Sequence, residues 1–205
     1  MAFGTGRIFI SYLKEFLMSV ALSVLAISGS LRKKSTNTGL LRCAQQVAPA
    51  ELKIDIANIT EVPLYNADIA AQGKPPAVER LVAQIAAADA LVLACPEYNY
   101  SVAPALKNVI DWASREPGNS ALDGKAVAIL GAGGRMASSR AQYHLRQICV
   151  FVNLHPLNKP EVMAHSGDGT FDEAGDLIDA KVRQLVTDQM QALVKWVRRL
   201  RSESL

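Results

Sequence analysis

Three near-continuous apolar runs, at 22–27, 90–95 and 126–130, decide most of what this chain can fold into. Strands that read as unbroken Leu, Val, Ile and Ala, with no in–out alternation, are covered on both faces. Such a sheet is built from parallel strands joined by crossover helices. The intervening stretches carry the matching helical periods. Leu40, Leu41, Ala44 and Val47 share one face of a helix expected over 37–47. Pro76 opens a second, expected over 76–88, at a position where its missing N–H costs nothing. Val102, Leu106, Val109, Ile110 and Ala113 form the stripe of a third, and a fourth is expected over 138–151. Ile178, Val182, Val186, Leu193, Val197 and Leu200 mark a tail helix over 177–200, after a polar loop at 168–176. Shorter strands at 53–56 and 155–157 complete five strands alternating with five helices. The expected architecture is α/β, doubly wound, with helices on both faces.

A chain of 205 residues, half of them hydrophobic, supports one domain with a substantial core. No internal repeat, low-complexity tract or linker divides it. The apolar stretch near the start is interrupted by Lys14 and Glu15, and what remains, 16–27, is too short to span a bilayer as a helix. A signal-peptide reading would cleave at or inside the polar loop that follows the first strand, so it too is rejected. Residues 1–19 are therefore read as an N-terminal arm or upstream extension, and 20–205 as the domain. The formal net charge of +3 is too mild to argue for nucleic acid, and no basic stripe interleaves with aromatics. Cys43, Cys95 and Cys149 are widely spaced, which suits buried thiols in the reducing cytoplasm rather than a disulfide or metal site.

Two polar loops stand at the carboxyl ends of the first and third strands, where an open parallel sheet binds its ligand. The first, Ser28-Gly29-Ser30-Leu31-Arg32, continues through Ser35 and Asn37 into a helix. Small residues, hydroxyl donors, a guanidinium and a helix N-terminus together favour phosphate. The competing reading is a turn in which Asn37 or Thr38 caps the helix. The spacing GxxxxGK[ST] is absent, so this is not a nucleoside-triphosphate loop. The second loop, Pro96-Glu97-Tyr98-Asn99-Tyr100-Ser101, presents an aromatic and an amide at the same edge. Glu97 is expected to cap a helix or bond across a subunit boundary, not to act as a general base. A third loop, Gly131-Ala132-Gly133-Gly134, fails the GxGxxG pattern because Met136 stands where glycine is needed. No acidic residue occurs from 125 to 160, whereas Arg135, Arg140 and Arg146 do. His144, His155 and His165 pair with no serine or carboxylate at hydrolase spacing.

On GSLRKKSTN at 29–37, PEYNYSVAPALKNVIDW at 96–112 and RAQYHLRQ at 140–147, the chain resembles the NADPH-dependent FMN reductase family of flavodoxin-like proteins. Within it, the likeness is to bacterial chromate and quinone reductases. The resemblance covers 20–200. It implies a five-stranded sheet in the order 2-1-3-4-5, and an FMN phosphate held by Ser30, Arg32, Ser35 and Asn37. It also implies an isoalloxazine beside Pro96, Glu97, Tyr98 and Asn99. The third loop, with Gly133, Gly134 and Arg140, would close the pyrimidine side, where local positive charge suits the carbonyl edge of a reduced flavin. A flexible turn with solvated arginines is the other reading of that loop. The chain departs from the family there: a glycine pair often precedes the arginine matching Arg140, but Ala137-Ser138-Ser139 stands in its place.

The same resemblance implies hydride transfer from NADPH or NADH to N5 of FMN, then release to quinones, chromate, azo dyes or free flavin by a ping-pong route. The catalytic chemistry would be the cofactor's, with no catalytic side chain. Homodimers or homotetramers are implied as partners. A flavodoxin-type electron carrier is the first alternative, and the mild positive charge argues against it. A non-catalytic sensor that has lost the flavin is the second.

Overall fold

The computed structural model describes residues 21–167 and 169–202, so the expected arm over 1–19 lies outside the described residues. The chain runs β1 (Leu22–Ser28), α1 (Thr36–Val47), β2 (Leu52–Ile56), α2 (Ala67–Ala71), α3 (Pro76–Ala87) and β3 (Ala90–Ala94). It continues β4 (Glu97–Tyr98), β5 (Ser101–Val102), α4 (Pro104–Ala113), β6 (Ala126–Gly133), α5 (Ser139–Phe151), β7 (His155–Pro156), β8 (Val162–His165) and α6 (Ala180–Ser202). The three apolar runs lie side by side in the middle of a parallel sheet. β3 pairs with β1 on one side and β6 on the other, and β2 lies outside β1.

The sheet has six strands rather than the expected five. Its path is β2-β1-β3-β6-β7, and β8 also pairs with β6. β7 pairs with the start of β6, at Ala126 and Val127, and β8 with its end, from Leu130 to Gly133. The fifth position of the flavodoxin-like order is thus shared by two short segments. Pro156 and Pro160 lack the N–H that a continuous ladder requires, so the edge breaks between them. β6 runs three residues beyond its expected end because β8 supplies a partner there. Gly131 lies inside the strand because a Cβ would stand 2.5 Å from the Cys95 carbonyl oxygen.

Helices cover both faces. Ile27, Leu93 and Ile129 of the sheet pack with Leu81, Ile85, Leu106 and Trp112 on one side. Val24, Val92 and Leu130 pack with Leu40, Leu41, Val186, Met190 and Leu193 on the other. α6 begins at Ala180, three residues later than expected, because Leu177 is extended and bridges Phe171.

Candidate cofactor site at the carboxyl edge of the sheet

β1, β3 and β6 end at one edge, and the residues that follow them surround a cavity of about 300 Å³. Ser30, Arg32, Thr36 and Asn37 border it from the first loop. Pro96, Glu97 and Tyr98 come from the second, and Gly133 and Gly134 from the end of β6. Gly29 lets the first two loops meet, since a Cβ there would stand 2.7 Å from the Pro96 ring. Eight of the eleven expected site residues border this cavity. Asn99 and Arg140 border an adjoining cavity, also of about 300 Å³, which shares Glu97 and Gly134 with the first.

The polar groups of the first loop divide their work. Ser35 is fully buried and its Oγ accepts the Thr38 N–H, which makes it the N-cap of α1. The Asn37 side chain donates to the Ala132 carbonyl (2.9 Å) and accepts the Ala132 N–H (3.0 Å). Ala132 lies beyond the last β6 residue paired with β3, so Asn37 continues the ladder with an amide. Ser28 Oγ accepts from the Ser30 N–H and from Thr38 Oγ1, closing the turn. Arg32 is exposed and forms no hydrogen bond or ion pair among the described residues. Arg32, Ser30 and Thr36 are the groups left to face an anion at the mouth.

The second and third loops are fastened together by Glu97. Its carboxylate accepts from Arg140 Nε (2.6 Å), from the Arg140 N–H (3.1 Å) and from the Ala141 N–H (3.3 Å). Glu97 therefore caps α5, whose own N-cap residue, Ser138, makes no side-chain cap bond. Burial alone would push this carboxyl up, but the Arg140 guanidinium and the helix N–H groups outweigh it and hold Glu97 below the ordinary glutamate range. Glu97 and Tyr98 pair with Val102 and Ser101, leaving a two-residue turn at Asn99 and Tyr100. Both turn residues have positive φ, 48° and 70°, as a type I′ hairpin turn requires. The Tyr100 ring lies 3.5 Å from the Arg140 guanidinium carbon.

Thr36 and Ser166 also border the cavity, in addition to the residues expected there. Thr36 sits between two expected residues, so its place is readable from the motif. Ser166 carries no sequence signal, because it arrives only through the pairing of β8 with β6 and the bond from its N–H to the Gly133 carbonyl. Cys95, one residue before the second loop, is fully buried, and burial, with Cys149 and Glu97 beside it, pushes its thiol up to about 12. It is a core residue. Among the described residues no cluster of ligating side chains could hold a metal ion.

The residues fit a phosphorylated planar group. Arg32, without a partner among the described residues, borders the cavity with the hydroxyls of Ser30 and Thr36 at the N-terminus of α1, and Pro96 and Tyr98 border it as well. Gly134 borders the cavity where a Cβ would meet nothing within 4 Å, so backbone is open to a ligand there. A doubly wound sheet with such a site fits the class of flavin-binding proteins. Residues 22–169 match the family of NADPH-dependent FMN reductases, and the chain belongs to it. It is 56% identical over 185 residues to an NAD(P)H-dependent FMN reductase of Pseudomonas aeruginosa, covering 90% of this chain and all of that one. It is 40% identical over 188 residues to a quinone reductase of Escherichia coli, covering 90% and 100%. Among solved structures, the flavoenzyme NAD(P)H:(acceptor) oxidoreductase FerB of Paracoccus denitrificans superposes with a TM-score of 0.78 at 30% identity, covering 87% of this chain and 98% of that one. The chain is accordingly an oxidoreductase that uses FMN and NAD(P)H.

Proposed function

We propose that the chain is an NAD(P)H:quinone oxidoreductase whose FMN occupies the cavity where the three loops meet. The observation that carries this reading is the convergence of Ser30, Arg32 and Thr36 with Pro96 and Tyr98 and with Gly133 and Gly134 on one cavity. Arg32 supplies the charge for the phosphate, and Ser30 and Thr36 supply donors. Asn37 holds β6 against α1 and so fixes the third loop relative to the first. Pro96, Tyr98 and Asn99 flank the ring. Glu97 and Arg140 keep the second and third loops at a fixed separation. FMN, when bound, supplies two-electron transfer between NAD(P)H and an acceptor.

The protein's part is binding, orientation and electrostatics. The open mouth receives NAD(P)H and then the acceptor in turn, which makes the kinetics ping-pong. Quinones are the favoured acceptors, and chromate, azo compounds and free flavin fit the same open mouth. We take the chain to act in the cytoplasm as a homodimer or homotetramer. Three free, buried cysteines support the first, and the exposed apolar stripe of Tyr143, Val150 and Phe151 on α5 supports the second. No helix among the described residues is long and apolar enough to cross a membrane.

The test is a visible spectrum of the purified chain, soaked in FMN and desalted, then treated anaerobically with NADPH and with a quinone. A retained flavin band that NADPH bleaches and the quinone restores is expected. A colourless chain after desalting sinks the proposal.

A further inference from the structure

We infer that Gln142 is a positioning residue for the flavin: through Ser138 it sets where the third loop, and with it Gly133 and Gly134, meets the cavity. The inference rests on the FMN reading of that cavity. Gln142 borders neither cavity itself. It lies in the first turn of α5, is 1% exposed, and commits both amide N–H groups to fixed partners. Its Nε2 donates to Ser138 Oγ (3.1 Å) and to the Val162 carbonyl in β8 (2.9 Å). Its backbone N–H donates to the Ser138 carbonyl (3.0 Å). Ser138 is thus tied to Gln142 at two points and, through it, to the edge strand.

Ser138 carries this anchorage to β6. It is buried and has a φ of 69°. A Cβ at Gly131 would stand 2.5 Å from Ser138 Oγ, and one at Gly133 would stand 2.9 Å from the Ser138 nitrogen. The loop therefore folds back onto its own strand, in space that two side chains would otherwise fill. The Ala137 N–H donates to the Gly134 carbonyl (2.9 Å) and closes the turn. Gly134 borders both cavities, and Gly133 borders the flavin cavity. The pairing of β6 with β3 ends at Leu130, so the stretch beyond it is held by β8 and by the Asn37 amide. Gln142 joins the loop to the β8 side of that frame.

Packing alone does not call for glutamine at this position. Ala141, Leu145 and Cys149 of the same helix lie in the apolar core. Gln142 Oε1 is buried without a hydrogen-bond partner among the described residues, and an unsatisfied buried acceptor costs stability. What glutamine supplies that an apolar side chain cannot is a pair of directed N–H bonds, and both end on the frame of the third loop. Gln189 of α6 offers a matched comparison. It is fully buried, and its Oε1 also lacks a partner among the described residues. Its Nε2 donates to the Ile129 and Pro160 carbonyls, at 2.9 and 3.0 Å, which lie outside the third loop.

The test compares Gln142→Met with Gln189→Met in the full chain. Each keeps the side-chain length and removes the buried N–H donors, so both should lower Tm. FMN affinity is read by fluorescence titration, at a temperature where far-UV circular dichroism shows the variants folded. It should fall about 3- to 10-fold in Gln142→Met only, the worth of one neutral hydrogen bond. The visible circular dichroism of bound FMN, which reports the surroundings of the ring, should change in that variant and not in Gln189→Met. Ser138→Ala removes only the acceptor, so it keeps the inference testable should Gln142→Met not fold. It should reproduce the FMN loss, and combining it with Gln142→Met should add nothing further. Unchanged affinity in Gln142→Met or in Ser138→Ala, or equal FMN losses in Gln142→Met and Gln189→Met, would overturn the inference and leave the FMN reading standing. A parent chain that binds no FMN would overturn both.

Discussion

Replacing Glu97 with glutamine tests the fastening between the second and third loops at the cost of a single atom. The carboxylate caps α5 by accepting the N–H groups of Arg140 and Ala141, at 3.1 and 3.3 Å. Glutamine keeps one acceptor and turns an amide N–H₂ toward donors, and it removes a negative charge from the positive end of the helix. Loss of a helix cap costs about 1–2 kcal/mol. The Arg140 guanidinium is about one-third exposed, so solvent screens its contact with Glu97 and the cap alone sets that cost. For a domain of this size each kcal/mol moves Tm by about 2–4 °C, so Glu97→Gln should lower Tm by about 2–8 °C at pH 7.

The pH dependence sharpens the test. Glu97 titrates lower in the folded chain than in the unfolded one, where the ordinary value is 4.5. Its contribution is therefore fully present above that value and lost as pH falls through the folded value. The Tm gap between parent and variant should be largest near neutrality and should close in acid. The assay is thermal denaturation followed by far-UV circular dichroism, from pH 7 down to the acid limit of reversibility. A gap below about 1 °C at pH 7 refutes the cap, being less than half the smallest shift expected. A gap that persists unchanged far into acid refutes the assignment of the effect to the ionised carboxyl.

Other perturbations separate cofactor binding from folding. Arg32→Ala should weaken FMN by about 10- to 100-fold in a fluorescence titration, and leave the Tm of the flavin-free chain unchanged because Arg32 has no partner among the described residues. Gly39→Ala drives a Cβ into the Gly175 carbonyl group, backbone against backbone. It should lose about 1–3 kcal/mol in urea unfolding, and a neutral result would contradict the contact between α1 and the 169–176 loop. Cys95 and Cys149 are buried, with thiols pushed up to about 12, and burial raises Cys43 as well. A thiol-labelling reagent at mildly alkaline pH should modify none of the three in the native chain and all three in denaturant; rapid native labelling of Cys95 would restore a redox role for it.

How legible each part of the fold is in the sequence depends on how far apart its causes lie. The buried strands and long helices announce themselves because their periods repeat within a few residues. The end of β6 does not, since Gly131 and Gly133 read as a turn and become strand only through β8, which follows much later in the chain. The Asn99–Tyr100 hairpin has the favoured asparagine but lacks the glycine that usually follows it, so its local signal is weak. The sequence offers Asn37 or Thr38 as the cap of α1, but the cap is Ser35, and Asn37 instead reaches Ala132 across the sheet, a partner that nothing local marks. A helix-capping role for Glu97 is legible. Which helix it caps depends on a contact spanning 43 residues, with Arg140.

Strain is distributed in a way that ties these pieces together. Among the described residues, five non-glycine positions have positive φ, and four of them line the second cavity: Asn99, Tyr100, Ala137 and Ser138. Glycine would enter this conformation at little cost, yet Ala137 and Ser138 stand in the third loop instead. Side chains at both positions are buried, and Ser138 Oγ accepts from Gln142 Nε2, whose other bond runs to the Val162 carbonyl in β8. A glycine would lose that link between the third loop and the edge strand. The chain thus exchanges conformational ease for anchorage, and Glu97 locks the opposing strained turn to the same helix through Arg140. Two turns that would each relax alone hold one another in place, and the cavity between them keeps its shape because neither can open without breaking the Glu97 cap.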